Sequence, residues 1–283
     1  MDDSILDENL KLLNGLHDNS IKRNEIISYI KKNKKISIFA YGSLLWNPID
    51  YINSTISNCI LNNYNKGFFC EDFIYRGTSD FTGLTMGLIN DSNGFVNGVL
   101  LTSNNENIIP FLKSFVKRES PIDFKKNLLN IYQYDFVKIN LPDQINYEYA
   151  LTCIVNKNSL FYLNNKLTLD EQAIKIGQAY GINGTNFQYL DKLKNIYQQF
   201  LIQDSFSSHF NDLYNKVISY RQSLTIHVQK WFTIYDELQT LEQRKEALNK
   251  QNSKDFQFII ETLITPSICS EQLNKQIQQT TSI

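Results

Sequence analysis

The sequence predicts an α+β fold in which a small, strongly curved mixed sheet packs against helices and a helical extension follows. Three observations predict it. Between residues 36 and 155, short runs rich in β-branched and aromatic residues alternate with breaks containing Asn, Asp and Gly, the pattern of strands and turns. Gly83, Gly87 and Gly98 fall inside or beside those runs, where glycine marks bends, bulges or close backbone approach, as when a sheet curls toward a barrel. From Thr168 onward the apolar spacing changes to three and four residues, the period of helices packed on a core.

Composition narrows the function classes. The 283 residues are 42% hydrophobic and 20% charged, enough for one substantial domain plus extensions. Lys+Arg 28 against Asp+Glu 29 leaves a net charge of -1, which provides no overall field for a nucleic acid or an anionic membrane, so neither is expected as a partner. Cys59, Cys70, Cys153 and Cys269 form no C-x-x-C pair and have no nearby His at metal-ligand spacing, so they read as buried thiols. The acidic start, Met1-Asp2-Asp3-Ser4, is followed by no long apolar run, and the expectation is a cytoplasmic protein without a membrane span.

Taken in order, residues 1–34 read as a helical extension, with Ile21, Ile26, Ile27 and Ile30 at helical spacing and lysines at its C-terminal end, where they suit the macrodipole. Ile36 to Tyr41 reads as a buried strand that breaks at Gly42-Ser43. Two readings fit that break. It is an ordinary turn carrying an aromatic residue, or a concavity of N–H groups suited to a carboxylate or oxyanion. Ile56 to Phe73 reads as short strands and turns, Tyr75-Arg76-Gly77-Thr78 as a loop, and Leu84–Ile89 with Phe95–Leu101 as a hairpin around Asn90–Gly94.

Asn104 to Arg118 reads as a helix ended by Ser120-Pro121. Glu119 then lies at the negative end of the macrodipole, which disfavours an exposed carboxylate by roughly 0.3–1 kcal/mol. Two readings again fit: a solvated carboxylate paired with Arg118 or a lysine, or a buried one whose raised pKa suits a general base. Leu128–Leu141 and Tyr147–Val155 read as two further strands. Thr168-Leu169-Asp170-Glu171 forms a capping box that opens one helix, and Gly184-Thr185-Asn186 precedes another, with Tyr189 off its apolar stripe.

The tail carries an unbroken a/d alternation from Phe210 through Leu213, Val217, Tyr220, Leu224, His227, Trp231, Ile234, Leu238, Leu241 and Lys245 to Leu248. A continuous helix over that span would be roughly 58 Å long. It would need a partner helix, either Phe256–Ile264 or Glu271–Gln279 of its own chain or another subunit through self-association. The expected organisation is an extension over 1–34, a core domain over 35–205 and a helical extension over 206–283.

Phe39-Ala40-Tyr41-Gly42-Ser43-Leu44-Leu45-Trp46-Asn47-Pro48, Tyr75-Arg76-Gly77-Thr78, Gly83 to Leu88, Arg118-Glu119, Ala150-Leu151-Thr152, Leu169 to Ala173 and Asn186 to Leu190 occur together in order. This set resembles the ChaC-like glutathione-specific γ-glutamylcyclotransferases over roughly residues 36 to 203, and the co-occurrence is far more specific than any single block. The resemblance implies a mixed, barrel-like α+β fold that splits glutathione into 5-oxoproline and Cys-Gly without cofactor or metal. It places Ala40, Tyr41, Gly42, Ser43, Leu44 and Leu45 around the γ-glutamyl moiety, makes Glu119 the catalytic carboxylate, and adds Arg76 and Tyr189 as further substrate-binding positions. Where the family carries Gly and Tyr after the glutamate, this chain has Ser120-Pro121-Ile122-Asp123-Phe124.

Overall fold

The structure, a computed structural model, describes residues 2–13, 15–16, 19–120, 129–164, 167–238 and 240–249. Five strands, β1 (Lys35–Ala40), β2 (Ser54–Asp72), β3 (Gly83–Asn104), β4 (Tyr132–Asn140) and β5 (Tyr147–Val155), close into a barrel in the order β1-β3-β2-β4-β5. The sheet is mixed: β1 is antiparallel to β3, with Ala40 opposite Val99, and parallel to β5, with Ile38 opposite Leu151. β4 and β5 pair antiparallel over nine positions, Tyr132↔Val155 to Asn140↔Tyr147. Close approach explains one of the strand glycines. A Cβ on Gly98 would stand 2.5 Å from the Ala40 carbonyl oxygen, so no side chain fits between β3 and β1 there.

The chain divides into two compact units. The first comprises residues 1–67, 86–162 and 195–207, and the second 68–85, 163–194 and 208 onward. The first holds β1, β4, β5, β2 up to residue 67 and β3 from residue 86, with helices α1 (Asp3–Lys11) and α2 (Ser20–Asn33), and α3 (Ile108–Glu119), whose inward face is Ile108, Phe111, Leu112 and Phe115. The N-terminal extension is thus two helices, with Asp2 and Asn19 as their N-caps. A buried ion pair, Lys66 Nζ to Asp204 at 2.7 Å, lies in this unit, the ammonium 4.0 Å from the centre of the Tyr197 ring.

The second unit contains α4 (Leu169–Gln178), the short strands β6 (Tyr180–Gly181) and β7 (Gly184–Thr185), the start of α5 (Asn186–Gln199), and the tail helices α6 (Ser207–Ser223), α7 (Ile226–Glu237) and α8 (Leu241–Asn249). The expected capping box is formed at α4: the Thr168 side chain accepts from the Glu171 N–H and the Glu171 carboxylate accepts from the Thr168 N–H. Val228, Phe232 and Tyr235 of α7 build a core with Phe81 and Tyr180.

Three sequence expectations are corrected. Residues 56–72 lie in one long strand and not several, because the asparagines read as turns sit inside it: Asn58 and Asn63 take φ of 57° and 65°, the left-handed angles asparagine tolerates, without ending the strand. The hairpin expected at Asn90–Gly94 is a continuous part of β3. Gly94 serves close packing, since a Cβ there would lie 2.4 Å from the Tyr64 carbonyl oxygen. The single tail helix is three, broken at Thr225 and Leu238, both of which have extended backbone angles. The candidate partner segments 256–264 and 271–279 and the thiol of Cys269 lie outside the described residues.

Candidate active site

β1 delivers the 40–45 segment into a fixed place. Its last turn is anchored by the Thr152 hydroxyl, which donates to the Phe39 carbonyl at 3.1 Å, and β1 leads into a 3₁₀ turn over Ser43–Leu45. Tyr41 is held at both ends: its hydroxyl donates to the Cys153 carbonyl at 2.9 Å, and its own carbonyl accepts from the Tyr197 hydroxyl at 2.9 Å. Gly42 has φ -125° and ψ -132°, so the turn uses no left-handed glycine. The side chains of Ala40, Tyr41, Leu44 and Leu45 belong to the core, each less than 9% exposed. Gly42 and Ser43 are half-buried. Among the described residues the N–H groups of Ser43 and Leu44 donate no hydrogen bond, as at the start of any helical turn.

Glu119 is the last residue of α3, and both halves of its sequence reading hold in part. It is paired with Arg118, Nε to Oε1 at 2.9 Å, but its side chain is only 15% exposed and is not solvated. Burial pushes its carboxyl above the ordinary value of 4.5, and the charge and hydrogen bond of Arg118 pull against that rise. Arg118 also donates from Nη2 to Ser43 Oγ at 3.0 Å. One guanidinium therefore ties the strand-end turn to the helix-end carboxylate, within a single unit. In the sequence Arg118 stands as a charge partner of Glu119 and as half of the Arg118-Glu119 block; its bond to Ser43, 75 positions away, has no local signal.

Residues that the sequence did not single out complete the surroundings. Tyr134 of β4, 4% exposed, hydrogen-bonds through its hydroxyl to Ser120 Oγ at 3.2 Å and packs edge-to-face on Phe115 with ring centres 5.4 Å apart. A phenol thus stands beside the residue that follows Glu119, contributed by another strand. Burial, with the nearby Cys153 thiol and Glu119, pushes the Tyr134 hydroxyl up. Burial likewise raises the Cys153 thiol, with Glu119 adding to the rise, so the thiol stays protonated at neutral pH.

Arg76 and Tyr189 lie in the second unit and are brought together there. The Arg76 guanidinium sits 5.6 Å from the Tyr189 ring centre, and Nη1 donates to the Asn183 and Thr185 carbonyls at 2.5 and 3.4 Å. Tyr189 is buried, edge-to-face with Phe68, because α5 packs on more than its single apolar stripe. Among the described residues no cluster of three His, Cys, Asp or Glu could hold a metal ion, and no helix is long and apolar enough to cross a membrane.

The sequence profile of the ChaC-like protein family matches residues 36–220, about two thirds of the chain, a span that includes Ser43, Arg118, Glu119 and Tyr134. The chain belongs to the ChaC-like family. Its relatives in that family include the human protein named glutathione-specific gamma-glutamylcyclotransferase 1, 28% identical over 164 residues, which are 57% of this chain and 69% of the human one. The rat protein of the same name is 27% identical over 162 residues, 57% of this chain and 69% of its own. Among solved structures, a yeast γ-glutamyl cyclotransferase described as specific to glutathione superposes with a TM-score of 0.56 at 18% identity, covering 66% of this chain and 97% of that one. At that identity the likeness shows the fold, so the closed barrel of this ChaC-like chain is that of the γ-glutamyl cyclotransferases.

Proposed function

We propose that this chain is a cytoplasmic γ-glutamylcyclotransferase that cleaves glutathione to 5-oxoproline and Cys-Gly, with Glu119 as general acid and base. The observation that carries the reading is the Ser43–Arg118–Glu119 linkage, in which a buried carboxylate of raised pKa is tied to a turn with free N–H groups. Family membership and the names of the relatives supply the substrate class.

The chemistry asks for little more. The substrate's α-ammonium loses a proton to Glu119, the resulting amine attacks its own γ-carbonyl, and the five-membered ring closes. The ring nitrogen gives up its second proton as the bond to the cysteinyl nitrogen breaks, and Glu119 returns the first to that departing amine, so both protons leave with Cys-Gly as its ammonium. Because nucleophile and electrophile belong to one molecule, the protein contributes chiefly by folding the γ-glutamyl chain into a ring-closing shape. The N–H groups at Ser43 and Leu44 suit its α-carboxylate, and Arg76 and Tyr189 are proposed as further contacts. No Ser or Cys nucleophile is needed, and Cys153, held as a thiol, is unsuited to be one.

The test is to incubate the purified protein with glutathione and measure 5-oxoproline. Wild type should form it, and Glu119→Gln should lose roughly 10²–10⁴-fold in kcat, the usual contribution of a positioned acid–base group. Equal rates in the two proteins would overturn the assignment, and a panel of other γ-glutamyl amines and dipeptides separates glutathione from a different preferred substrate. We also propose that self-association, expected along 210–248, uses what the tail leaves exposed: Ile226 and Ile234 of α7, 58% and 61% accessible.

A further inference from the structure

We infer that Asp236, on a helix beyond the family-matched region, is a positioning residue that holds Arg76 for substrate. The family profile ends at residue 220 and α7 begins at Ile226, so nothing in the matched core supplies this group. All the residues concerned lie in the second unit.

The linkage can be followed atom by atom. Asp236 Oδ1 accepts from the Thr185 hydroxyl at 2.5 Å, and the Asp236 main-chain carbonyl accepts from the Gln188 side-chain amide. Gln188 is itself fixed, its N–H donating to Thr185 Oγ1 at 3.1 Å. The other carboxylate oxygen takes Arg221 Nη1 at 3.0 Å, and Arg221 lies between the rings of Phe187 and Phe232, 4.6 and 4.3 Å from their centres. One residue earlier, the Tyr235 hydroxyl donates to the Gly181 carbonyl at 2.8 Å. Residues 181–188 are therefore held by α7 at three points.

That same stretch holds Arg76. Its Asn183 and Thr185 carbonyls are the acceptors for Arg76 Nη1, and the Asn183 N–H donates back to the Tyr75 carbonyl at 2.8 Å. The Ile182 N–H does the same to Ile74 at 3.0 Å. With Nη1 oriented by two carbonyls, the planar guanidinium is fixed over Tyr189 in one attitude, as fork-like recognition of a carboxylate requires. Freeing Thr185 from Asp236 releases one of those carbonyls. The consequence for function rests on the γ-glutamyl reading, in which Arg76 contacts the peptide, and falls on binding rather than on proton transfer.

Two measurements test it. Hydrogen–deuterium exchange on Asp236→Ala and on the near-isosteric Thr185→Val should show faster exchange at both 181–188 and 74–77, while the barrel strands keep their protection. Unchanged exchange at 74–77 in Thr185→Val overturns the linkage, even if Asp236→Ala proves too unstable to study. In the glutathione assay Asp236→Ala should raise KM by roughly tenfold or more, the scale of one charge-assisted hydrogen bond, with kcat little changed. Asp236→Asn, which keeps an acceptor for Thr185, should restore it. Arg76→Ala combined with Asp236→Ala should be no worse than Arg76→Ala alone, whereas multiplying effects overturn the proposal. A wild type that turns over no γ-glutamyl compound yet shows the exchange coupling defeats the enzymatic reading and leaves the positioning intact, so the two failures are distinguishable.

Discussion

At the scale of single residues, the site depends on a carboxylate kept in an awkward place. Glu119 has a pKa raised by burial and restrained by Arg118. In the proposed role of base it would work only when ionised, so activity should fall as pH drops through that raised value, and the acid limb of kcat/KM should lie above the ordinary 4.5. Arg118→Met removes the restraining charge, so the limb should move to higher pH; an unmoved limb, or one moved to lower pH, contradicts the pairing. Stability follows with the same sign. The folded state holds the Glu119 proton more tightly than the unfolded state does, a contribution complete below pH 4.5 and lost as pH rises through the folded pKa. Glu119→Gln cannot ionise, so near neutral pH it should melt no lower than wild type, the converse of what a purely structural ion pair would give.

At the scale of elements, the sequence was most legible where one local signal had one meaning. Thr168 with Glu171 could form little but a capping box, and Ile36–Tyr41 little but a buried strand. It was least legible where one residue type serves two ends: Asn58 and Asn63 bend β2 where asparagines elsewhere end strands, and Gly94 makes room for Tyr64 where a turn was expected. The tail misled because a sustained count overrode a cap. Thr240 and Gln243 exchange side-chain and backbone hydrogen bonds at 3.1 Å, a start signal readable in Thr240-Leu241-Glu242-Gln243. Likewise the buried face of α7 is Val228, Phe232 and Tyr235, and Ile234 of the a/d count faces out. Phe232→Ala should therefore cost about 3–5 kcal/mol in denaturant unfolding. Ile234→Glu should leave stability nearly unchanged and, if wild type is a dimer by sedimentation, should yield monomers. An equal mass for wild type and Ile234→Glu ends the proposal of self-association through this face.

At the scale of the whole molecule, part of the family-matched region and the tail are joined in the make-up of the second unit rather than in chain order. The second unit is assembled from residues 68–85, 163–194 and 208 onward, so Phe81 and Tyr180 of the family-matched region share a core with Val228, Phe232 and Tyr235 from beyond it. No linear reading of the sequence could have paired them, since each stretch alone shows only an apolar face. Burial of the three α7 side chains contributes about 1.5–3 kcal/mol each, a sum comparable with the roughly 5–15 kcal/mol that holds a whole domain folded. Ending the chain after Ser223, just past the family match, should therefore expose Phe81 and Tyr180 and lower the melting temperature sharply. Limited proteolysis of that shortened chain should cut first within 68–85 and 163–194, while the barrel strands β1, β4 and β5 resist. A shortened chain that melts and digests like the full one would mean that the tail only rests on the family core, and that Asp236 has nothing to hold in place.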